Sequence, residues 1–149
     1  MRLPSNTPPL LFDTALRARR RTLRADPKSA FLHEVALDEV KERLTDVKKS
    51  FPTTAILSSL PDFWRSSFLD AELSNEKETL PFAQQGYDLV IHAMSLHAAN
   101  DPSGQLIQAK QALRPDGLML CVALGGETLS ELRKATLTAE TKLRGGASP

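Results

Sequence analysis

The stretch from Leu80 to Asp101 constrains this chain more than any other. Within it, Leu89, Val90 and Ile91 form an unbroken apolar run just after Gly86. A run this short, β-branched and bounded by glycine reads as a strand buried on both faces. Asp88 sits at its start. Ser95, His97, Asn100 and Asp101 crowd its far end, and Pro102 then opens a helix, a position that suits proline. In an open α/β sheet, ligands bind outside the carboxyl ends of the strands. His97, Asn100 and Asp101 are therefore placed where a site would lie.

The rest of the chain reads as helices alternating with strands. Residues 1–9 hold three prolines and are expected to form a loose arm. A helix is expected over 10–25, with Leu11, Ala15, Ala18 and Thr22 on one face and five arginines filling the others. Asp26-Pro27 breaks it and Ser29 caps the next helix. That helix runs to about Lys49, with Phe31, Val35, Val40, Leu44 and Val47 as its apolar stripe. His33 lies beside the stripe and reads as a satisfied or solvated histidine, because no second ligand lies at helical spacing. A short strand is expected over 54–57, a short helix over 62–68 with Trp64 and Phe68 paired at i, i+4, and a very short strand over 71–74. After the strand at Tyr87–Ala93, a helix is expected over 102–113. Arg114-Pro-Asp-Gly117 matches a type I turn, and Leu118 to Leu124 reads as another continuous apolar strand. A last helix is expected from Glu127-Thr128 to about Leu143, with Leu129, Leu132, Thr136, Ala139 and Leu143 inward and Gly145-Gly146 ending it.

This alternation argues for a parallel sheet with right-handed crossovers. The organisation expected is an N-terminal arm and helices over 1–49 and an α/β domain over 50–149, together one structural unit. The strand around Cys121 would stand at the sheet edge with nothing after its helix to cover it, which natural proteins avoid. Either another chain covers it, so that the polypeptide self-associates, or the polypeptide is a piece of something longer.

Composition excludes little. A net charge of +1 gives no global reason to expect nucleic acid. The first 25 residues, however, carry six arginines against Asp13 alone. A solvated helix face and a docking surface for an acidic protein partner compete as explanations. Phosphate binding ranks last, since no aromatic residue is interleaved for base stacking. The single cysteine, Cys121, excludes an internal disulfide framework and suits a reducing compartment. Its apolar run makes it a buried small hydrophobe. No apolar run reaches the length of a membrane span, no secretory signal stands at the start, and the expected location is the cytoplasm.

Several short motifs occur in one order: Leu80-Pro-Phe82, Tyr87-Asp-Leu-Val90, Leu96-His97, Asn100-Asp101 and Ala112-Leu-Arg-Pro-Asp-Gly117. Together they resemble the second half of a class I S-adenosylmethionine-dependent methyltransferase. The tail segments Gly125-Gly-Glu-Thr-Leu-Ser-Glu-Leu-Arg133 and Ala139-Glu140 through Gly145-Gly-Ala-Ser-Pro149, and an opening Phe12-Asp13 before an arginine-rich helix, resemble the branch of methyltransferase-like assembly factors of respiratory complex I and their bacterial relatives. The resemblance implies an α/β, doubly wound, Rossmann-like methyltransferase sheet, incomplete at its C-terminal edge. It implies S-adenosylmethionine as cofactor and a methyl acceptor that could be a protein.

The sequence departs from that family at the first strand. The family holds the cofactor against a glycine-rich turn, where a backbone approaching a ligand needs residues without Cβ. Here the turn is Leu57-Ser58-Ser59-Leu60-Pro61, with no glycine, and Pro61 removes an amide donor. Ser58 and Ser59 offer hydroxyls but not the missing space. The family also expects an acid at the end of the second strand for the ribose; Glu72, Glu76 and Glu78 are near, with Glu78 the chosen candidate. His97 is the candidate for substrate-side or general-base work and for cofactor contact, against packing on loop backbone. Asp101 is a second catalytic candidate, against a helix N-cap. His92 is expected to be packed and hydrogen-bonded. No zinc spacing or phosphate loop is present, and Gly125-Gly126 lacks the lysine that a phosphate loop needs. Two functions survive: an S-adenosylmethionine-dependent methyltransferase with a degenerate cofactor turn, or a catalytically inactive relative that binds or assembles.

Overall fold

A computed structural model describes residues 10–23 and 30–146. The arm over 1–9, the Asp26-Pro27 break and the Ser29 cap lie outside the described residues.

Four parallel strands form one sheet: β1 (Thr54–Ser58), β2 (Glu72–Ser74), β3 (Tyr87–Ala93) and β4 (Leu113–Val122), in the order β2-β1-β3-β4. From β1 the chain goes to one side for β2, then crosses to the other side for β3. The switch point therefore lies between β1 and β3. β3 has the bounds its sequence predicts, and six of its seven residues are buried. Its alternation explains why the run is apolar on both sides. Leu89, Ile91 and Ala93 join Ile56 in a core with Ala36, Leu37, Val40 and Trp64. Val90 joins Ala55 and Leu57 in a second core with Ala109 and Ala112. Helices α2 (Phe31–Asp46) and α3 (Pro61–Arg65) thus supply one face and α4 (Pro102–Ala112) the other. The sheet is doubly wound, as expected.

Other expectations are corrected. On α2 the buried face is His33, Ala36, Leu37 and Val40, while Phe31 and Val35 are exposed. The helix is rotated from the stripe of large apolar residues because His33 must reach partners beneath it. Arg114 to Gly117 does not precede its strand. It forms an irregularity inside β4, between the pairs Tyr87 with Leu113 and Leu89 with Leu118. Asp116, the third residue of that turn, has φ of 65°, a sign that excludes type I. Cys121 is exposed, not buried, because β4 is an edge strand. The last helix, α5 (Ser130–Arg144), buries none of its residues. Leu132 and Leu143, expected inward, are 59% and 85% exposed. Gly145 does end it, with φ of 73°, a left-handed cap that favours glycine.

At the amino end of the sheet, Asp88 accepts from the backbone N–H and hydroxyl of Thr53 and from Arg114. Those bonds, the Thr53 hydroxyl foremost, hold its carboxyl below the ordinary range. This cluster clamps three strand starts together and lies opposite the ligand end.

Candidate functional site

The carboxyl ends of β1, β2 and β3 meet three segments: Ser58-Ser59, Glu76 to Glu78, and Ser95 to Ala99. Helix α1 (Thr14–Leu23) is tied to the second and third of them by its arginines. Its first turn is capped by Asp13, whose carboxylate accepts from the Leu16 N–H at 2.8 Å. Arg17 and Arg21, one turn apart, point to the sheet. Arg17 donates to the carbonyl of Ala98 at 3.1 Å and pairs with Glu76 at 3.3 Å. Arg21 pairs with the other oxygen of Glu76 at 3.0 Å. Just ahead of α1, Phe12 exchanges two backbone hydrogen bonds with the Asn100 amide, at 2.8 and 3.1 Å. Between α1 and the strand ends about 10 Å³ remains, lined by Arg17, Glu76, Ser95, Ala98 and Gln105 among others. That is room for one water molecule at most.

Each residue singled out in the sequence has a defined place. Ser58 is fully buried and its hydroxyl accepts from the Leu60 N–H at 3.1 Å. The turn after β1 therefore spends that amide on itself, and Pro61 has none. Ser59 lies 3.2 Å from His33 Nε2. Glu78 accepts from the Asn100 amide at 2.7 Å. Glu72 accepts from the Tyr87 hydroxyl, so all three candidate acids have partners. Asp101 caps α4, accepting from the Gly104 N–H at 2.8 Å. A Cβ on Gly104 would lie 2.1 Å from that carboxylate, so the cap and the glycine require each other. His97 is exposed at the mouth. Partial desolvation, then the Arg17 guanidinium, lower its pKa. The fold brings Glu78, Asn100 and His97 to one rim. It keeps Ser58 and Ser59 inside the turn.

Two buried networks were not legible as such. The Trp64 indole N–H donates to His33 Nδ1 at 3.2 Å. An indole only donates, so the His33 proton sits on Nε2 and points to Ser59. In the second network, Gln105 donates to the Lys77 carbonyl at 2.9 Å, which turns its oxygen toward His92 Nε2 at 2.8 Å. His92 Nδ1 then accepts from the Ser95 hydroxyl at 3.1 Å. Their members stand 13 or more residues apart except for Ser95 and His92, so no local spacing announces them. Among the described residues, no buried side-chain polar atom lacks a partner, and no group of three or more acids, histidines and cysteines could hold a metal.

Burial lowers the pKa of both His33 and His92 from 6.5. A lowered folded pKa means that the unfolded chain binds protons first on acidification. Stability is therefore full above about pH 6.5 and falls from there toward the folded values. We expect about 1–2 kcal/mol less stability at about pH 5.5 than at about pH 7.5, measured by urea denaturation. Protonating His33 also sets its Nδ1–H against the indole N–H. A flat profile across that window would contradict the neutral assignment of both rings.

Comparison with known proteins places this geometry. The methyltransferase domain family matches residues 20–121. The chain is 30% identical to the arginine-hydroxylase NDUFAF5, mitochondrial, of Danio rerio, with 93% of this chain and 53% of that protein covered. It is 32% identical to a malonyl-[acyl-carrier protein] O-methyltransferase of Methylovorus sp., over 60% of this chain and 29% of that one. A crystal structure of an S-adenosylmethionine-dependent methyltransferase, possible histamine N-methyltransferase, from Thermotoga maritima shares the fold, with a TM-score of 0.53 at 11% identity. The match covers 82% of this chain and 69% of that one. The chain spans about half the length of the NDUFAF5 relatives it matches. The Danio rerio match is 169 residues long, while 93% of 149 residues is about 139, so about thirty of that relative's residues there have no counterpart.

Proposed function

The chain belongs to the methyltransferase domain family, and from that membership we propose that it is a methyltransferase-like binding or assembly domain that holds S-adenosylmethionine weakly. One observation carries this reading: the turn after β1 has no glycine, and the Leu60 amide is already taken by Ser58. A tight cofactor site at that place needs open backbone donors and space. The crevice residues as they stand fit the cofactor poorly, since α1 lies over the mouth and Glu72, Glu76 and Glu78 are all engaged. We derive no methyl-transfer step from them. The named relatives carry two chemistries, hydroxylation and methylation, so the fold does not choose a reaction. The catalytic alternative keeps His97, the exposed imidazole on the rim, as its base. The proposed location remains the cytoplasm, which an unpaired cysteine suits.

Thermal unfolding with and without cofactor tests the reading. At about 1 mM S-adenosylmethionine, a dissociation constant above ~100 μM gives at most about 1.4 kcal/mol, or a shift below about 6 °C. A shift well above that value would assign the domain to the catalytic alternative.

A further inference from the structure

We infer that α1 is a latch that occludes the crevice in cis, and that a single carboxylate, Glu76, holds it shut. Three observations lead there. The helix buries almost nothing: its described side chains are exposed except for the half-buried Arg17 and Arg21. Leu16, its large apolar residue with a described side chain, is 40% exposed. Its attachment is therefore polar. Both arginines converge on the two oxygens of Glu76, while Arg17 also takes the Ala98 carbonyl and Asn100 ties down Phe12. And it closes the place that topology reserves for a ligand, the switch point between β1 and β3.

A helix held by an apolar stripe opens at the cost of a core. A helix held by two charge pairs opens when those charges are screened or matched elsewhere. Glu76 is the hub, since it is the shared partner of Arg17 and Arg21. Arg19 and Arg20 stand on the exposed side of the helix and do not touch it. An anionic partner that captures Arg17 and Arg21, or raised salt, frees the crevice without unfolding the sheet. The latch deepens the proposed function by regulating the same crevice. Its readout needs no ligand, so the latch and weak cofactor binding can fail separately.

A thiol placed inside the crevice reports its closure. In a Cys121→Ser background, Ala98→Cys puts a sulfhydryl on the buried crevice wall, with Ala99→Cys as the second position should the first disturb the fold. Labelling by a small maleimide is followed at about 50 mM and about 500 mM salt. With α1 intact at low salt the thiol reacts slowly. Adding Arg17→Gln and Arg21→Gln, or Glu76→Gln alone, accelerates labelling about tenfold or more, the scale of losing charge-assisted hydrogen bonds. High salt accelerates the intact chain in the same direction. Thermal midpoints stay within about 2 °C, because the arginines and Glu76 leave the core untouched. Equal labelling rates in all variants, or fast labelling of the intact chain at low salt, overturn the latch. So does a large fall in the midpoint, which would make the helix part of the fold.

Discussion

Replacing Trp64 with alanine removes a large share of the folding stability of this domain. Trp64 is fully buried at the junction of α2, α3 and β1. Its ring stacks on Phe68 at 6.3 Å and meets Phe63 edge-on at 6.2 Å. Deleting a buried tryptophan side chain costs about 3–5 kcal/mol in transfer and cavity terms. The substitution also strands His33 Nδ1 without its donor, for about 1–3 kcal/mol more. A loss of about 4–8 kcal/mol is a large share of the roughly 5–15 kcal/mol typical of a domain. Urea denaturation followed by circular dichroism reads it directly, since the sole tryptophan is gone. Leu69→Ala, at a side chain 76% exposed, should change stability by less than about 0.5 kcal/mol. A Trp64→Ala loss below about 2 kcal/mol would show that this core repacks around the gap.

The second large effect is self-association. β4 pairs on one side with β3 and presents its other edge unpaired within the described residues. Bare edges recruit further strands. On α5, Leu132 and Leu137 are 59% and 50% exposed, and Leu129 just ahead of it is exposed too. Two copies of α5 packed antiparallel about a two-fold axis would cover each other's Leu132 and Leu137, as an isologous contact allows. We therefore expect the mass from light scattering to rise toward that of a dimer with concentration. Cys121→Lys on the edge, or Leu132→Glu on α5, should return it to the monomer. A concentration-independent monomer for the unaltered chain would contradict both surfaces.

The fold was legible where local pattern and tertiary context agree. Tyr87–Ala93 could be bounded from sequence because a central strand has only one arrangement that buries both faces. Pro102 and Gly145 marked their helix ends through backbone geometry alone. The failures share a cause. The apolar pattern points the large residues of α2 and α5 inward, but which face is buried depends on what lies opposite. On α2 the decisive contacts are polar: His33 reaches Trp64 and Ser59, 31 and 26 residues away. α5 buries none of its residues against the rest of the fold. Cys121 fails for the same reason, since its apolar neighbours cannot reveal that β4 stands at an edge.

The site divides likewise. The missing glycines after β1 and the capping role open to Asp101 could be read from residue types. The closing of the mouth could not. It depends on Arg17 and Arg21 meeting Glu76 across 59 and 55 residues, and nothing in the sequence distinguishes the arginines of that helix from one another. The structure separates them: Arg21 turns to the crevice, while Arg19 and Arg20 face out.

Calorimetric titration of the whole chain with S-adenosylmethionine tests the central claim most directly. A glycine-free turn with its amide spent, under an arginine-latched helix, should give a dissociation constant above ~100 μM, weaker than about −5.5 kcal/mol. Low-micromolar binding by the unaltered chain would contradict it.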